Sequence, residues 1–279
     1  MLGIAFEGCG CRAAFHVGAI EWFAEHGLLP DAVSGASSGA LIAGALAIGH
    51  AGGLRAVWTE LFGSRVCDAR RLLKGRWPYR MSDIVGGGAT RYFGDRLLSD
   101  TRIPLSIVVT QLRLSGFARR ALTARDPVPL ATAILASCFL PGPYSRMVPI
   151  DGRLTFDGAW LNRVPIDAVA ALGPRHVIAC VSDDFGRLLR GALWTRTVAV
   201  PAGIDCRVLS PVTPLPIGSF DFDRVATLET FAIGRESARL FADRNREWLT
   251  ATVSSAASRS PSRRGRASAA CSDRRSEFA

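Results

Sequence analysis

Two apolar runs, Leu2–Phe6 and 28–34, each break into a loop of small residues and then into a helix-compatible segment, all within residues 1–48. Nothing else in the chain limits its fold as strongly. A strand that crosses over through a helix and returns as a second strand lies parallel to the first, and parallel sheets need helices over both faces. The order reads as strand (Leu2–Phe6), small-residue loop (Glu7–Ala14), helix (Phe15–His26, stopped at Gly27), strand, sharp turn and helix (Ser38–Ile48). The predicted class is α/β, three layers with a mostly parallel central sheet.

Beyond Gly49 the pattern is looser. Helices are predicted over 54–62, 90–98, 130–137 and 164–172, with Pro165 suited to a first turn. Branched residues mark strands at 105–112, 116–122, 153–156, 177–182 and 207–209. A single amphipathic helix is expected from Asp223 to Trp248, with Val225, Leu228, Phe231, Phe241 and Trp248 near one face. From residue 251 the composition turns to Ser, Ala and Arg, so the expected division is a globular domain over 1–250 and a disordered basic tail over 251–279.

The sharp turn at Val33–Leu41 reads G-x-S-x-G, with Gly35 and Gly39 flanking Ser37. Such a strand-to-helix elbow holds a serine at a strained position, at the N-terminus of a helix whose free N–H groups favour negative charge. A serine nucleophile needs a base. The four histidines (His16, His26, His50, His176) sit in or beside helices or just before a strand, none in the late loop where a Ser-His-acid triad places its base. Asp157, after a short strand and before Gly158-Ala159, is the better acceptor for the serine proton, although an Asp-Gly pair is equally an ordinary turn. The loop Gly8-Cys9-Gly10-Cys11-Arg12 offers successive N–H groups at a helix N-terminus, suited to a phosphate or an oxyanion. It fits neither a dinucleotide fingerprint, since Ala13 stands at the third glycine, nor a P-loop, since no Lys-Ser/Thr follows.

Gly-x-Gly-x-Arg after the first strand, G-x-S-x-G after the second and Asp-Gly-Ala late in the domain, in that order, resemble the patatin-like phospholipases. Ala136-Ser137-Cys138-Phe139-Leu140-Pro141 and Asp157-Gly158-Ala159-Trp160-Leu161-Asn162-Arg163-Val164-Pro165 resemble two further blocks of that family, and the likeness spans roughly residues 1–245. The resemblance implies a patatin-like fold, a Ser37–Asp157 dyad, an oxyanion hole from the main chain of Gly8 to Arg12, and no metal or cofactor. The family usually carries glycine at the positions of Cys9 and Ala13. A side chain at Cys9 excludes glycine-only angles, so the loop is expected to be reshaped there.

The implied activity is a serine lipid acyl hydrolase of phospholipase A or lysophospholipase type. An acyltransferase or thioesterase on the same dyad is the alternative, as is a catalytically silent lipid-binding protein. The formal charge of +10 is almost all arginine, Lys74 being the sole lysine, and no nucleic-acid motif accompanies it. A lipid or anionic membrane surface is therefore the expected partner, met through the basic-aromatic stretches Arg70–Arg80 and Arg187–Arg196. The N-terminus lacks a secretory signal and no apolar run approaches the roughly 20 residues that span a bilayer, so a cytoplasmic, at most peripheral, location is expected. Seven scattered cysteines without paired C-x-x-C units suit reduced, buried thiols, those at Cys9 and Cys11 included.

Overall fold

The computed structural model describes residues 1–60, 64, 66–189, 191 and 198–257, with the side chains of 253–257 left aside. A seven-stranded sheet organises them: β1 (Leu2–Phe6), β2 (Ala32–Ala36), β3 (Leu105–Arg113), β4 (Gly116–Leu122), β5 (Thr155–Phe156), β6 (His176–Cys180) and β7 (Asp205–Leu209). The order is β4-β3-β2-β1-β6-β7, with β5 also pairing with β3. The pairs from β3 through β7 along this order are parallel, and only β4 and β5 run against β3.

The helices are α1 (Ala14–Glu25), α2 (Ser38–Ala47), α3 (Leu54–Thr59), α4 (Met81–Phe93), α5 (Leu130–Cys138), α6 (Ile166–Ala170), α7 (Arg224–Arg244) and α8 (Arg246–Ala257). Strand alternation divides the core. Leu2, Ile4, Phe6 and Val33 join the larger cluster with residues of α1, α2, α4, α5 and α7, whereas Ala5 and Ala32 join a thinner one with Ile166 and Val169 of α6. This is the expected three-layer α/β/α arrangement with one heavy and one light face.

Three expectations change. The third long helix is α4, over Met81–Phe93 and not 90–98. Gly86-Gly87-Gly88 lowers its local propensity, and burial of Met81, Val85, Ala89 and Phe93, one turn apart, overrides that. The C-terminal helix breaks at Asn245, whose side chain donates to the Phe241 carbonyl at 2.8 Å, giving α7 and α8. Its buried face is also different: Val225 and Leu228 are exposed, and Thr227, Thr230, Phe231, Gly234, Ser237, Ala238 and Phe241 face inward. That small-residue stripe exists because α1 and α7 touch backbone to backbone. A Cβ on Gly18 would strike the Phe231 carbonyl, and one on Gly234 the Phe15 carbonyl.

Helix α8 carries regular structure past residue 250 to Ala257. The tail from 258, and most of the Arg187–Arg196 stretch, lie outside the described residues. No helix among the described residues is long and apolar enough to cross a membrane.

Candidate active site

Strand register alone brings the site together. Phe6 pairs with Gly35, so the loop after β1 and the turn after β2 begin at one level of the sheet. Ala36 pairs with Val108 of β3, and further along β3 Thr110 pairs with Phe156. The residue after Phe156 therefore returns to the level of the turn, and that residue is Asp157. This is the carboxyl edge of the parallel strands, where open α/β sheets hold their ligands.

Ser37 stands at the elbow with φ 53° and ψ −127°, one of two described non-glycine residues at positive φ. The turn is sharp enough that a Cβ on Gly35 would overlap the Gly39 carbonyl, and one on Gly39 would strike the Phe6 carbonyl, which accounts for both flanking glycines. The conformation is held in place by Ser137, whose Oγ accepts from the Ser37 N–H at 2.8 Å and donates to the Val108 carbonyl at 2.6 Å. Strain of this kind persists where surrounding bonds over-determine it.

The Ser37 hydroxyl donates to Asp157 Oδ2 at 2.6 Å, and the Ala159 N–H donates to Oδ1 at 2.7 Å. The Asp157 main chain is fixed as well, its carbonyl accepting from Thr110 Oγ1 at 2.9 Å and its N–H donating to the Phe139 carbonyl at 2.7 Å. Asp157 is 2% exposed, and its carboxyl is bonded by a hydroxyl and a main-chain N–H, not by a cation. Burial pushes that carboxyl up to about 7, against the smaller opposing effect of the bonds from Ser37 and Ala159. A carboxylate so placed is a base matched to neutral pH, within direct reach of a hydroxyl proton.

The two residues open on a cavity of about 260 Å³ with a mainly apolar lining that includes Leu41, Trp58, Met81, Leu140 and Phe222. None of the histidines lines it. His16 is fully buried against Phe6 and Phe15, neither ring nitrogen hydrogen-bonded, and burial lowers its pKa to about 3. His26 stacks on Trp22 at 3.9 Å, at the far end of α1 from the glycine loop.

Residues Gly8 to Arg12 lie beside the elbow, but their N–H groups differ in availability. Gly8 donates to the Arg163 carbonyl at 3.0 Å, Cys9 to Ser38 Oγ at 3.1 Å and Cys11 to the Ser219 carbonyl at 2.9 Å. Gly10, which lines the cavity, begins a 3₁₀ turn over Gly10–Ala13 and carries the left-handed angle of the loop, φ 62°. Cys9 has φ −142°, an angle open to any residue, so the loop requires no glycine at that position. Burial raises the Cys9 and Cys11 thiols to about 12, leaving them protonated and unreactive.

A second polar cluster was not legible in the sequence. Glu7, fully buried, accepts from the Ser182 N–H at 2.5 Å and hydroxyl at 2.6 Å and pairs with Arg163 at 2.7 Å. Arg12 donates to the Ser182 carbonyl and pairs with Asp184 at 3.3 Å. These links tie together the loops after β1, β5 and β6. Glu7, Cys9 and His16 bring three ligand-type atoms within 4.8 Å of one another. They fit a cation poorly, because the Glu7 oxygens are engaged and the Arg163 guanidinium sits against the group. Ser137 was within reach of sequence reading, as part of the Ala136–Pro141 block; Thr110 and Glu7 carried no such signal.

The family profile described as patatin-like phospholipase matches residues 4–170. Among curated proteins, a patatin-like phospholipase domain-containing protein of Caenorhabditis elegans (ZK370.4) is 28% identical over 231 residues, covering 75% of this chain and 16% of that protein. A putative second one from the same organism (M110.7) is 30% identical over 227 residues, covering 75% and 20%. The neuropathy target esterase sws of Drosophila melanogaster is 27% identical over 191 residues, covering 64% and 12%. The chain thus spans a fifth or less of the length of these relatives. Among solved structures, VipD from Legionella pneumophila shares the fold with a TM-score of 0.51 at 11% identity, covering 87% of this chain and 66% of that one. With the profile covering more than half of the residues, the chain belongs to the patatin-like phospholipase family.

Proposed function

We propose that the chain is a serine lipid acyl hydrolase of the phospholipase A or lysophospholipase type, working through a Ser37–Asp157 dyad. One observation carries this reading: the 2.6 Å bond from the Ser37 hydroxyl to a buried carboxylate at the floor of an apolar cavity. Ser37 Oγ attacks the acyl carbonyl as Asp157 takes its proton. The oxyanion is received by the N–H groups of Gly10 and Ser38, both cavity-lining residues at the first position of a helical turn. Asp157 passes the proton to the departing alcohol as the tetrahedral intermediate collapses. Water then attacks the acyl-enzyme with Asp157 again as base, releasing a fatty acid and restoring Ser37.

The catalytic unit in this reading is the body over 1–250, with the remainder an appendage. Its partner surface is an anionic bilayer. Along 70–80, Leu73 is 90% exposed between Arg70, Arg71, Lys74 and Arg76, with Leu72 and Trp77 also outward. Apolar tips inside a ring of cations suit a charged lipid surface. The location that goes with this reading is the cytoplasmic face of a membrane.

The test is turnover of p-nitrophenyl esters and of phosphatidylglycerol vesicles by wild type, Ser37→Ala and Asp157→Asn, with and without chelator. The expected result is loss of at least about a thousandfold in kcat in both variants, insensitive to chelator. Activity that survives Asp157→Asn and falls when a histidine is replaced refutes the dyad.

A further inference from the structure

The cavity over Ser37 has a neighbour. A second cavity of about 260 Å³ lies among α2, α3 and α4. Three side chains line both: Leu41 of α2, Trp58 of α3 and Val85 of α4. Trp58 and Val85 are buried, so the partition they form with Leu41 is hydrocarbon on both sides. Beyond it the wall of α4 is bare. Gly87 and Gly88 border the second cavity, and a Cβ built on either meets no heavy atom within 4 Å. The lining continues with carbon from Val57, Ile84 and Ala89, and its charged members are paired, Arg91 with Glu60 at 2.9 Å and Asp83 with Arg71 at 3.0 Å.

Two glycines in the middle of a helix weaken it. Here the space above them is neither filled by another side chain nor needed for a close backbone approach, as it is at Gly18 and Gly234. An apolar chain entering from Ser37 would cross the partition and lie against this bare face, where each charged lining side chain is already ion-paired. Pockets of this character bind through apolar area, with few polar contacts to fix orientation.

We infer that the second cavity is the distal subsite for the substrate's acyl chain. The substrates are long-chain acyl lipids whose carbonyl rests at Ser37 and whose methyl end lies beyond Leu41, Trp58 and Val85, against Gly87 and Gly88. Trp58 determines the chain length at which that subsite is entered. The inference rests on Ser37 as the acyl-accepting residue and adds to it the class of acyl group taken.

The test combines turnover with binding, so that the two ideas fail separately. Gly88→Leu fills the second cavity, and Trp58→Leu widens the passage to it. For each, kcat/KM is measured on p-nitrophenyl butyrate and palmitate, and affinity for the fluorescent fatty acid cis-parinarate is measured in a Ser37→Ala background. Leucine is a far better helix former than glycine, so Gly88→Leu should melt no lower than wild type, and Trp58→Leu supplies the opposite arm if it does. The expected result is a palmitate-to-butyrate ratio at least tenfold lower in Gly88→Leu and severalfold higher in Trp58→Leu, with parinarate affinity at least fivefold weaker in Gly88→Leu. If neither variant moves the ratio and Gly88→Leu leaves parinarate affinity unmoved, the subsite is overturned. If wild type hydrolyses no ester but Gly88→Leu still weakens parinarate, the hydrolase reading fails and the subsite stands.

Discussion

Replacing Asp157 by asparagine removes one ionisation and little else. The asparagine amide can still accept from the Ala159 N–H through Oδ1 and meet Ser37 Oγ through Nδ2, so the local bonding has a ready substitute. The energetic consequence depends on pH. The wild-type carboxyl moves from an ordinary 3.8 to about 7 in the folded chain, because burial disfavours its charged form. Between those values the folded state holds a proton that the unfolded state has released. Folded stability therefore falls as pH rises through that window, by about 1.4 kcal/mol per pH unit for this group. Over roughly three units the loss reaches about 4 kcal/mol, complete above pH 7 and absent below pH 4. The Asp157→Asn variant carries no such ionisation. Urea unfolding of both proteins at about pH 4.5, 6 and 8.5 should thus show the variant pulling ahead of wild type with pH, other titrations cancelling in the difference. In the proposed mechanism the same ionisation governs turnover, since a protonated Asp157 cannot take the Ser37 proton: kcat/KM should fall tenfold per pH unit below about 7. A difference in stability that is flat with pH, or that moves toward wild type as pH rises, would refute the reasoning whatever the activity does.

Three further outcomes follow from the geometry. Ser137→Ala strips the Ser37 N–H and the Val108 carbonyl of a shared partner; kcat should drop about tenfold or more with KM little changed, and stability should fall by about 1–3 kcal/mol in urea titrations. Glu7→Gln leaves the Arg163 guanidinium without its counter-charge and should lower unfolding stability by about 3 kcal/mol, with no change in the pH at which kcat/KM is half-maximal. Gly234→Ala drives a methyl into the Phe15 carbonyl and should cost about 1–3 kcal/mol by thermal unfolding, whereas Gly27→Ala, whose Cβ meets nothing nearby, should cost only what its left-handed φ of 70° imposes.

Much of the architecture was legible because its information is local. The Leu2–Phe6 and 28–34 runs, the loops that end them and the helices that follow are short patterns, and the register between neighbouring parallel strands then aligns the two turns. Ser37 and Asp157 were readable for the same reason, each lying in a short motif at the end of a strand. What was lost depends on contacts between distant segments. Helix α4 hides behind Gly86–Gly88, since its buried stripe has meaning only against distant partners, α5 and the Gly44 face of α2 among them. The inward face of α7 differs because hydrophobicity points to Val225 and Leu228, while close approach to α1 demands Gly234 and the Ser237 hydroxyl accepts from the Val212 N–H. Glu7, Arg163 and Ser182 come from three separate loops, and no spacing rule connects them. The partition of Leu41, Trp58 and Val85 is equally diffuse in sequence.

The bonds centred on Glu7 also bear on how the molecule opens. The loop after β1, the segment carrying Asp157 to Arg163 and the loop after β6 are clamped to one carboxylate that has no access to solvent. None of the three can lift away alone without exposing or orphaning that charge. Amide hydrogens at Gly8, Cys9 and Ser182 should therefore exchange together, in a single cooperative event close to global unfolding, while those along 70–80 exchange orders of magnitude sooner. Ser37 and Asp157 and the exposed edge along 70–80 would then belong to different dynamic regimes of one chain, a rigid block that keeps the proposed dyad aligned and a yielding rim suited to the proposed lipid surface.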